Sequence, residues 1–190
     1  LAGTALDDAH GTNQGVAHVF TLGPPPYAVT LSSSDVFENL PGGTVVGTLG
    51  AAPSDDPPYT YTLVNGAGGD DNGSFDIVGN ELRTQLAFDF ETQSAYSVLT
   101  EATDTNGIKS RLPFLVNVTN VNEAPTAIAL SSAQVPEFQP IDTVVGLLGT
   151  SDPDGGTGFT YSLVSGDGDA DNGLFGIVND ELRTGSSFDF

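Results

Sequence analysis

The stretch "DNGSFDIVGNELRTQLAFDF" at residues 71–90 returns as "DNGLFGIVNDELRTGSSFDF" at residues 171–190, without a gap and with 13 of 20 positions identical. Reading outward, "SDVFENLPGGTVVGTLG" (34–50) sets against "AQVPEFQPIDTVVGLLG" (133–149), the offset falling from 100 to 99, so a single-residue length change lies between Gly50 and Tyr59. A solenoid unit runs about 20 to 50 residues, and a period near 100 makes each copy a small domain in its own right. The chain is a tandem array.

The local pattern within each copy is β. "YTYTLV" (59–64), "FTYSLV" (159–164), "AYSVLTEA" (95–102) and "FLVNV" (114–118) are rich in β-branched and aromatic residues at alternating positions, the period of a half-buried strand. Tyr61 and Leu63 are expected inward, Thr60 and Thr62 outward. Turn clusters such as "NLPGG", "GGDDNG" and "TDTNG" separate these runs at the spacing of a sandwich. No segment offers a helix of three turns. Repeat 1 reads as seven short strands from Tyr27 to Thr119 in two packed sheets, and repeat 2 begins near Pro125.

Composition narrows the function. The chain has 25 Asp+Glu against 4 Lys+Arg, a formal charge of -21, and no Cys, Met or Trp. Such a charge repels nucleic acid and anionic membrane surfaces. Without Cys there is neither a disulfide framework nor thiol chemistry. No apolar run approaches the roughly 18 residues of a membrane span, and none of the given residues is expected to be a signal peptide. The lack of an initiating Met makes a processed or excised piece of a longer protein the expectation. Acidic chains of this kind are halophilic, disordered or cation-binding, and the placement of the acids decides among them. In repeat 1 they fall at Glu38, at Asp89 with Glu91, and at Asp104; Asn120, Asn122 and Glu123 follow in "NVTNVNEAPT", then Asp152 and Asp154 in "SDPDG". All lie at strand ends or in loops, where distant segments can meet at the poles of stacked sandwiches. Oxygen donors without His or Cys suit calcium.

These motifs resemble cadherin-like repeats, in the variant common in large bacterial surface proteins. The family carries a Glu early in the repeat, an Asp-x-Glu after the fifth strand, an Asp-rich linker ending in Pro, an Asp-x-Asp in the next repeat, and an Ala-x-Asp with a nearby Gly after the sixth strand. Here Glu38, Asp89 with Glu91, "NVNEAP", "DPD" (Asp152, Asp154) and "ATDTNG" with Asp104 stand in those places, in that order. The resemblance covers nearly the whole chain. It implies an all-β fold of tandem immunoglobulin-like, cadherin-like β-sandwich repeats. It also implies calcium ions (Ca2+) between repeats 1 and 2, held by Glu38, Asp89, Glu91, Asn122, Glu123, Asp152 and Asp154, with Val121 adding a backbone carbonyl. Asn120 and Asp104 complete the candidate metal set. Clustered acids repel until divalent ions neutralise them, so such a junction stiffens only with calcium.

Departures from the pattern carry expectations too. Asn120 replaces the usual Asp and removes one charge. Asp55 and Asp56 in "PSDDPPY" imitate the Asp-x-Asp pair imperfectly, and "GPPPY" before repeat 1 holds no acid or amide, so its prolines stiffen that junction without metal. "TALDDAHG" (4–11) and "VAHVFTL" (16–22) set against "TEATDTNG" (100–107) and "LPFLVNV" (112–118). Residues 1–23 therefore read as the last two strands of a preceding repeat, 24–124 as a complete repeat with linker, and 125–190 as a repeat lacking its last two strands. Head-to-tail strand complementation between chains is one consequence.

Other motifs have plainer readings. "DGDADNG" (167–173) starts like an EF-hand loop, but Asn172 sits where that loop needs Gly and Val178 where it needs Glu, so a turn is expected there and at "DDNG" (70–73). His10 and His18 lie in no repeat motif. Arg83 and Arg183 recur in "ELRT" as strand-face or ion-pair residues. Nothing assembles a catalytic constellation, so no enzymatic activity is expected. The chain reads as an extracellular or cell-surface adhesion module, in homophilic contact with other copies or bound to a cell-surface or glycan ligand. A passive spacer and a carbohydrate-binding accessory module of a larger secreted protein are the alternatives.

Overall fold

The structure is a computed structural model and describes residues 28–52 and 58–189. Residues 1–27, which include the "GPPPY" junction (23–27) and both histidines, and Asp55 and Asp56 lie outside the described residues.

Eight strands of repeat 1 are described: β1 (Ala28–Leu31), β2 (Asp35–Phe37), β3 (Val45–Ala52), β4 (Thr60–Leu63), β5 (Phe75–Val78), β6 (Glu81–Thr84), β7 (Ala95–Thr103) and β8 (Lys109–Thr119). They form two four-stranded sheets, ordered β1-β3-β6-β5 and β2-β8-β7-β4. The expected count was seven. The difference is the first strand, which breaks at Ser32–Ser34 and changes sheets: β1 runs antiparallel to β3, whereas β2 runs parallel to β8. Ser32 caps this crossing, its hydroxyl accepting the Thr48 N–H at 2.8 Å. Gly47 makes the close approach possible, since a Cβ there would lie 2.4 Å from the Ser33 carbonyl.

The sheets close over Val36, Val46, Phe75, Leu82, Phe88, Tyr96, Val98, Val116 and Val118, contributed in alternation from both inner faces as a sandwich requires. Phe88 stacks on Tyr96 with ring centroids 4.2 Å apart, and Phe75 meets both rings. Tyr61 and Leu63 are half-buried and Thr60 and Thr62 exposed, as the alternation predicts. The two "DNG" segments are single turns of 3-10 helix at 72–74 and 172–174. No described helix is long and apolar enough to cross a membrane.

Repeat 2 contributes β9 (Ala127–Leu130), β10 (Val144–Ser151), β11 (Phe175–Val178) and β12 (Glu181–Thr184), in the order β11-β12-β10-β9. This reproduces the first sheet of repeat 1, including the register shift before the glycine of the central strand, Gly47 in one and Gly146 in the other. The strand expected at 159–164 is not formed. Its counterpart β4 pairs only with β7, Thr60 to Leu63 against Thr103 to Thr100. Among the described residues nothing stands in β7's place beside 160–163, and a run of good β-formers without a hydrogen-bonding partner is not a strand.

Arg83 and Arg183 occupy the same place in each repeat. Each pairs with the Glu two residues earlier, Glu81 and Glu181, and Arg183 also reaches Asp142 at 3.2 Å.

Candidate functional site

The pole where β8 ends brings the acids together. β2 runs beside the end of β8, Phe37 opposite Thr119, and the Glu38 N–H donates to the Thr119 carbonyl at 3.1 Å. Glu38 therefore follows β2 directly onto the start of the linker. Its carboxylate is 1% exposed. Oε1 accepts the Val121 N–H at 2.7 Å and Oε2 the Phe90 N–H at 2.8 Å, so one buried side chain binds the linker to the "FDFET" turn. That turn is tied to Glu38 a second time through Asn39, whose N–H donates to the Phe88 carbonyl.

Glu38, Glu91 and Glu123 each place a carboxylate oxygen within 4.8 Å of the others. Glu91 accepts from Asn120 Nδ2 at 2.9 Å, and Glu123 accepts from Asn39 Nδ2 at 2.8 Å. Asp154 enters from repeat 2: its Oδ2 accepts the Glu123 N–H at 2.7 Å, and its own N–H donates to Asp152 Oδ1 at 3.0 Å. The electrostatic cost shows at Glu91. Partial desolvation first, then the charges of Glu38, Glu123 and Asp154, push its carboxyl above the usual carboxylate range, against a lowering backbone hydrogen bond. Glu123 Oε2 is buried and accepts no hydrogen bond. An oxygen-only donor set, crowded with like charge and holding an orphaned buried carboxylate oxygen, fits a hard divalent cation of calcium's type.

Several sequence-predicted ligands lie elsewhere in the network. Asp89 is exposed and spends both oxygens on Thr92, on its N–H at 2.9 Å and its hydroxyl at 3.0 Å. The Asn122 side chain donates to the Glu123 carbonyl. Val121 is 40% exposed and engages Glu38 through its N–H. Asp152 accepts the Asp154 N–H, and among the described residues it makes no hydrogen bond to the trio.

Asp104 stands at the opposite pole. β7 and β8 are antiparallel with Ala95 against Asn117 and Thr103 against Lys109, so Asp104 is separated from Glu38 by the length of β8, about 36 Å at roughly 3.3 Å per residue. There its Oδ1 accepts the N–H groups of Asn106 and Ile108 at 2.9 and 2.7 Å, closing the β7–β8 hairpin, while Oδ2 is buried without a hydrogen bond. It is not part of the Glu38 cluster.

Two residues were missed by the sequence reading. Asn39 has φ +60 and carries its amide to Glu123; Asn tolerates this left-handed backbone, and the only signal was its place beside Glu38. Glu101 is 3% exposed, yet accepts from Lys109 at 2.7 Å and Arg111 at 2.6 Å. With 4 Lys+Arg in the whole chain, two of them across a hairpin from one Glu was a readable signal.

No protein-family model matches the chain. It is 29% identical over 163 residues to human protocadherin beta-1, covering 80% of this chain and 20% of that protein. It is 30% identical over 175 residues to human protocadherin Fat 4, covering 87% of this chain and 4% of that protein. The chain thus spans a small part of the relatives it matches. Among solved structures, protocadherin gamma B7 extracellular cadherin domains 1–4 align at 25% identity and TM-score 0.56, over 86% of this chain and 42% of that one. Human protocadherin-24 EC1-2 aligns at TM-score 0.64 and 23% identity over 85% of this chain and 79% of that one, a likeness of fold.

Proposed function

We propose that this chain, a tandem of cadherin-like β-sandwich repeats, is an extracellular adhesion module whose repeat junction is clamped by calcium. The observation that supports the clamp is the convergence of Glu38, Glu91 and Glu123 within 4.8 Å at the linker. Asp154 arrives there from the next repeat. On this reading 24–124 and 125–190 are the two repeats that meet at the clamp.

The residues divide into ligands and supports. Glu38, Glu91, Glu123 and Asp154 would hold the ion, with Asp89, Asp152, Asn122 and the Val121 carbonyl open to turn toward it. Asn39 and Asn120 hold Glu123 and Glu91 in the cluster. Calcium, when bound, supplies the positive charge that offsets the repulsion among these carboxylates. The acids of repeat 1 and the Asp-Pro-Asp loop of repeat 2 then act as one unit, and bending between the repeats is resisted.

Adhesion is the function class such a junction serves best, with homophilic contact as the favoured partner. Beads coated with the chain test it. Aggregation in calcium that reverses on chelation supports the adhesive reading, and inertness in both conditions leaves the spacer. Binding to a glycan array without bead aggregation would favour the carbohydrate-binding alternative.

A further inference from the structure

Asn-Gly pairs occur in the chain at 65–66, 72–73, 106–107 and 172–173. Asparagine followed by glycine is open to attack by the next main-chain nitrogen on the side-chain amide, because glycine brings no side chain to shield that nitrogen. By sequence the pairs are alike. The fold separates them.

Three of them are held. The Asn72 carboxamide donates to the Val64 carbonyl at 2.8 Å and accepts the Leu99 N–H at 2.9 Å, so both of its ends are fixed. Asn172 repeats the first of these bonds, to Val164 at 2.9 Å, and both asparagines begin single turns of 3-10 helix. In the β7–β8 hairpin the attacking nitrogen is occupied instead: the Gly107 N–H donates to the Asp104 carbonyl at 3.1 Å. The Asn106 N–H beside it donates to Asp104 Oδ1 at 2.9 Å.

Asn65–Gly66 has neither restraint. Both residues are exposed, and among the described residues neither the Asn65 carboxamide nor the Gly66 N–H makes a hydrogen bond. Repeat 2 is built differently at this point. Ser165 stands in place of Asn65, and the Gly166 N–H is held by Asp169 Oδ2 at 2.9 Å. Gly69, in the place of Asp169, has no side chain to do the same for Gly66.

We infer that Asn65 is a site of spontaneous deamidation and isoaspartate formation in the folded chain, and that the other three Asn-Gly pairs are protected by the fold. The Gly66 nitrogen gives its proton to hydroxide and attacks Cγ of Asn65. The N–Cγ bond forms, the bond from Cγ to the amide nitrogen breaks, and ammonia leaves with a proton taken from water, closing a five-membered imide. One water then opens the ring. Opening at Cγ leaves Asp at position 65. Opening at the main-chain carbonyl carbon leaves the chain running through the side chain, with one more backbone atom and a free α-carboxylate.

The added atom falls where the chain has little room. Residues 64–74 lie as a strap over the outer face of β7, anchored on either side of the site: the Val64 N–H donates to the Leu99 carbonyl at 3.0 Å and the Gly69 N–H to the Gly66 carbonyl at 3.1 Å. Gly66 has φ +152, and a Cβ on it would lie 2.9 Å from Leu99 Cδ2. Lengthening the chain between Val64 and Gly66 moves Gly66 off Leu99 and sets a new carboxylate near Asp70 and Asp71, so the modified strap is looser than the original.

The test incubates the full chain in mildly alkaline buffer, folded and in strong urea, and follows each asparagine by peptide mass spectrometry. In the folded chain Asn65 is expected to convert about tenfold faster than Asn72, Asn106 or Asn172, the factor that one hydrogen bond of ordinary strength sets on local opening. In urea the rates are expected to converge. Asn65→Ser, the residue repeat 2 carries at this position, is expected to keep the fold and to remove the fast phase of ammonia release. The isoaspartyl form, separated by ion exchange, is expected to show faster amide exchange at Val64 and Gly69. Conversion of Asn65 no faster than that of Asn72 or Asn106 in the folded chain would overturn the inference, as would a ranking that persists unchanged in urea. Unaltered exchange at Val64 and Gly69 would overturn the loosening of the strap.

Discussion

Glu38 and Val121 are 83 positions apart in the chain, and the Glu38 carboxylate accepts the Val121 N–H at 2.7 Å while its other oxygen accepts the Phe90 N–H. A side chain 1% exposed thus fixes the exit angle of the linker relative to repeat 1. The trio is built on a residue that is already structural.

Removing Glu38 should therefore weaken the fold even where no cation is available. The Val121 and Phe90 N–H groups are part-buried, and each left without its acceptor costs about 1 kcal/mol, the low end for a buried donor, so Glu38→Ala is expected to lose about 2 kcal/mol in chelator and Glu38→Gln, which keeps one acceptor, about half. Urea unfolding followed by far-ultraviolet circular dichroism reads both. Equal stability of wild type and Glu38→Ala would contradict the buried geometry.

Glu91 has a pH signature of opposite sign to that of an ordinary paired acid. Its folded-state pKa is raised, so its ionised form opposes folding at neutral pH and that penalty disappears as pH falls through the raised value toward 4.5. In calcium-free buffer, Glu91→Gln is expected to raise the melting temperature at pH 7, with the advantage over wild type vanishing near pH 4.5. An advantage that persists unchanged to that pH would show that neither desolvation nor the charges of Glu38, Glu123 and Asp154 penalise the ionised Glu91.

Glu101 behaves in the usual direction. Hydrogen bonds from Lys109 and Arg111 hold its carboxyl below the ordinary value of 4.5, against desolvation. The stabilisation is present above 4.5 and fades as pH drops through the lowered folded-state value. Glu101→Gln should lower the melting temperature at pH 7, and the gap should close under stronger acid. A gap independent of pH would mean that packing, not charge, keeps Glu101 in place.

The sandwich was legible because burial alternates with period 2 in "YTYTL" (59–63) and over the first four residues of β7, whose stretch from Val98 to Ala102 is buried throughout, and because the two copies check each other. What local pattern could not reveal was partnership. The same β-forming run is a strand at 60–63, where β7 supplies hydrogen bonds, and none at 160–163. The candidate site was legible in part for the same reason. Motif order grouped Asp104 with Glu38, and only the antiparallel register of β7 and β8 sends it to the far pole. Asp89 stands one residue from Phe90 and two from Glu91 but turns to Thr92, a local hydrogen-bonding choice that spacing does not encode.

The two copies also supply an internal control. Asn72 makes two bridging hydrogen bonds, one across to β7, whereas Asn172 makes the Val164 bond of the same pair. Asn72→Ala is expected to cost about 2 kcal/mol and Asn172→Ala about half that or less in monomeric chain. Equal costs in parallel urea titrations would show that the β7 contact contributes little.

The clamp itself is tested most directly by calorimetric calcium titration of the chain, with melting temperature recorded alongside, on wild type, Glu91→Ala and Asp104→Ala. Saturable binding with a marked rise in melting temperature, lost in Glu91→Ala and kept in Asp104→Ala, is the predicted result. Weak, non-saturating uptake that Glu91→Ala leaves unchanged would contradict it and reduce the Glu38, Glu91 and Glu123 cluster to surface charge.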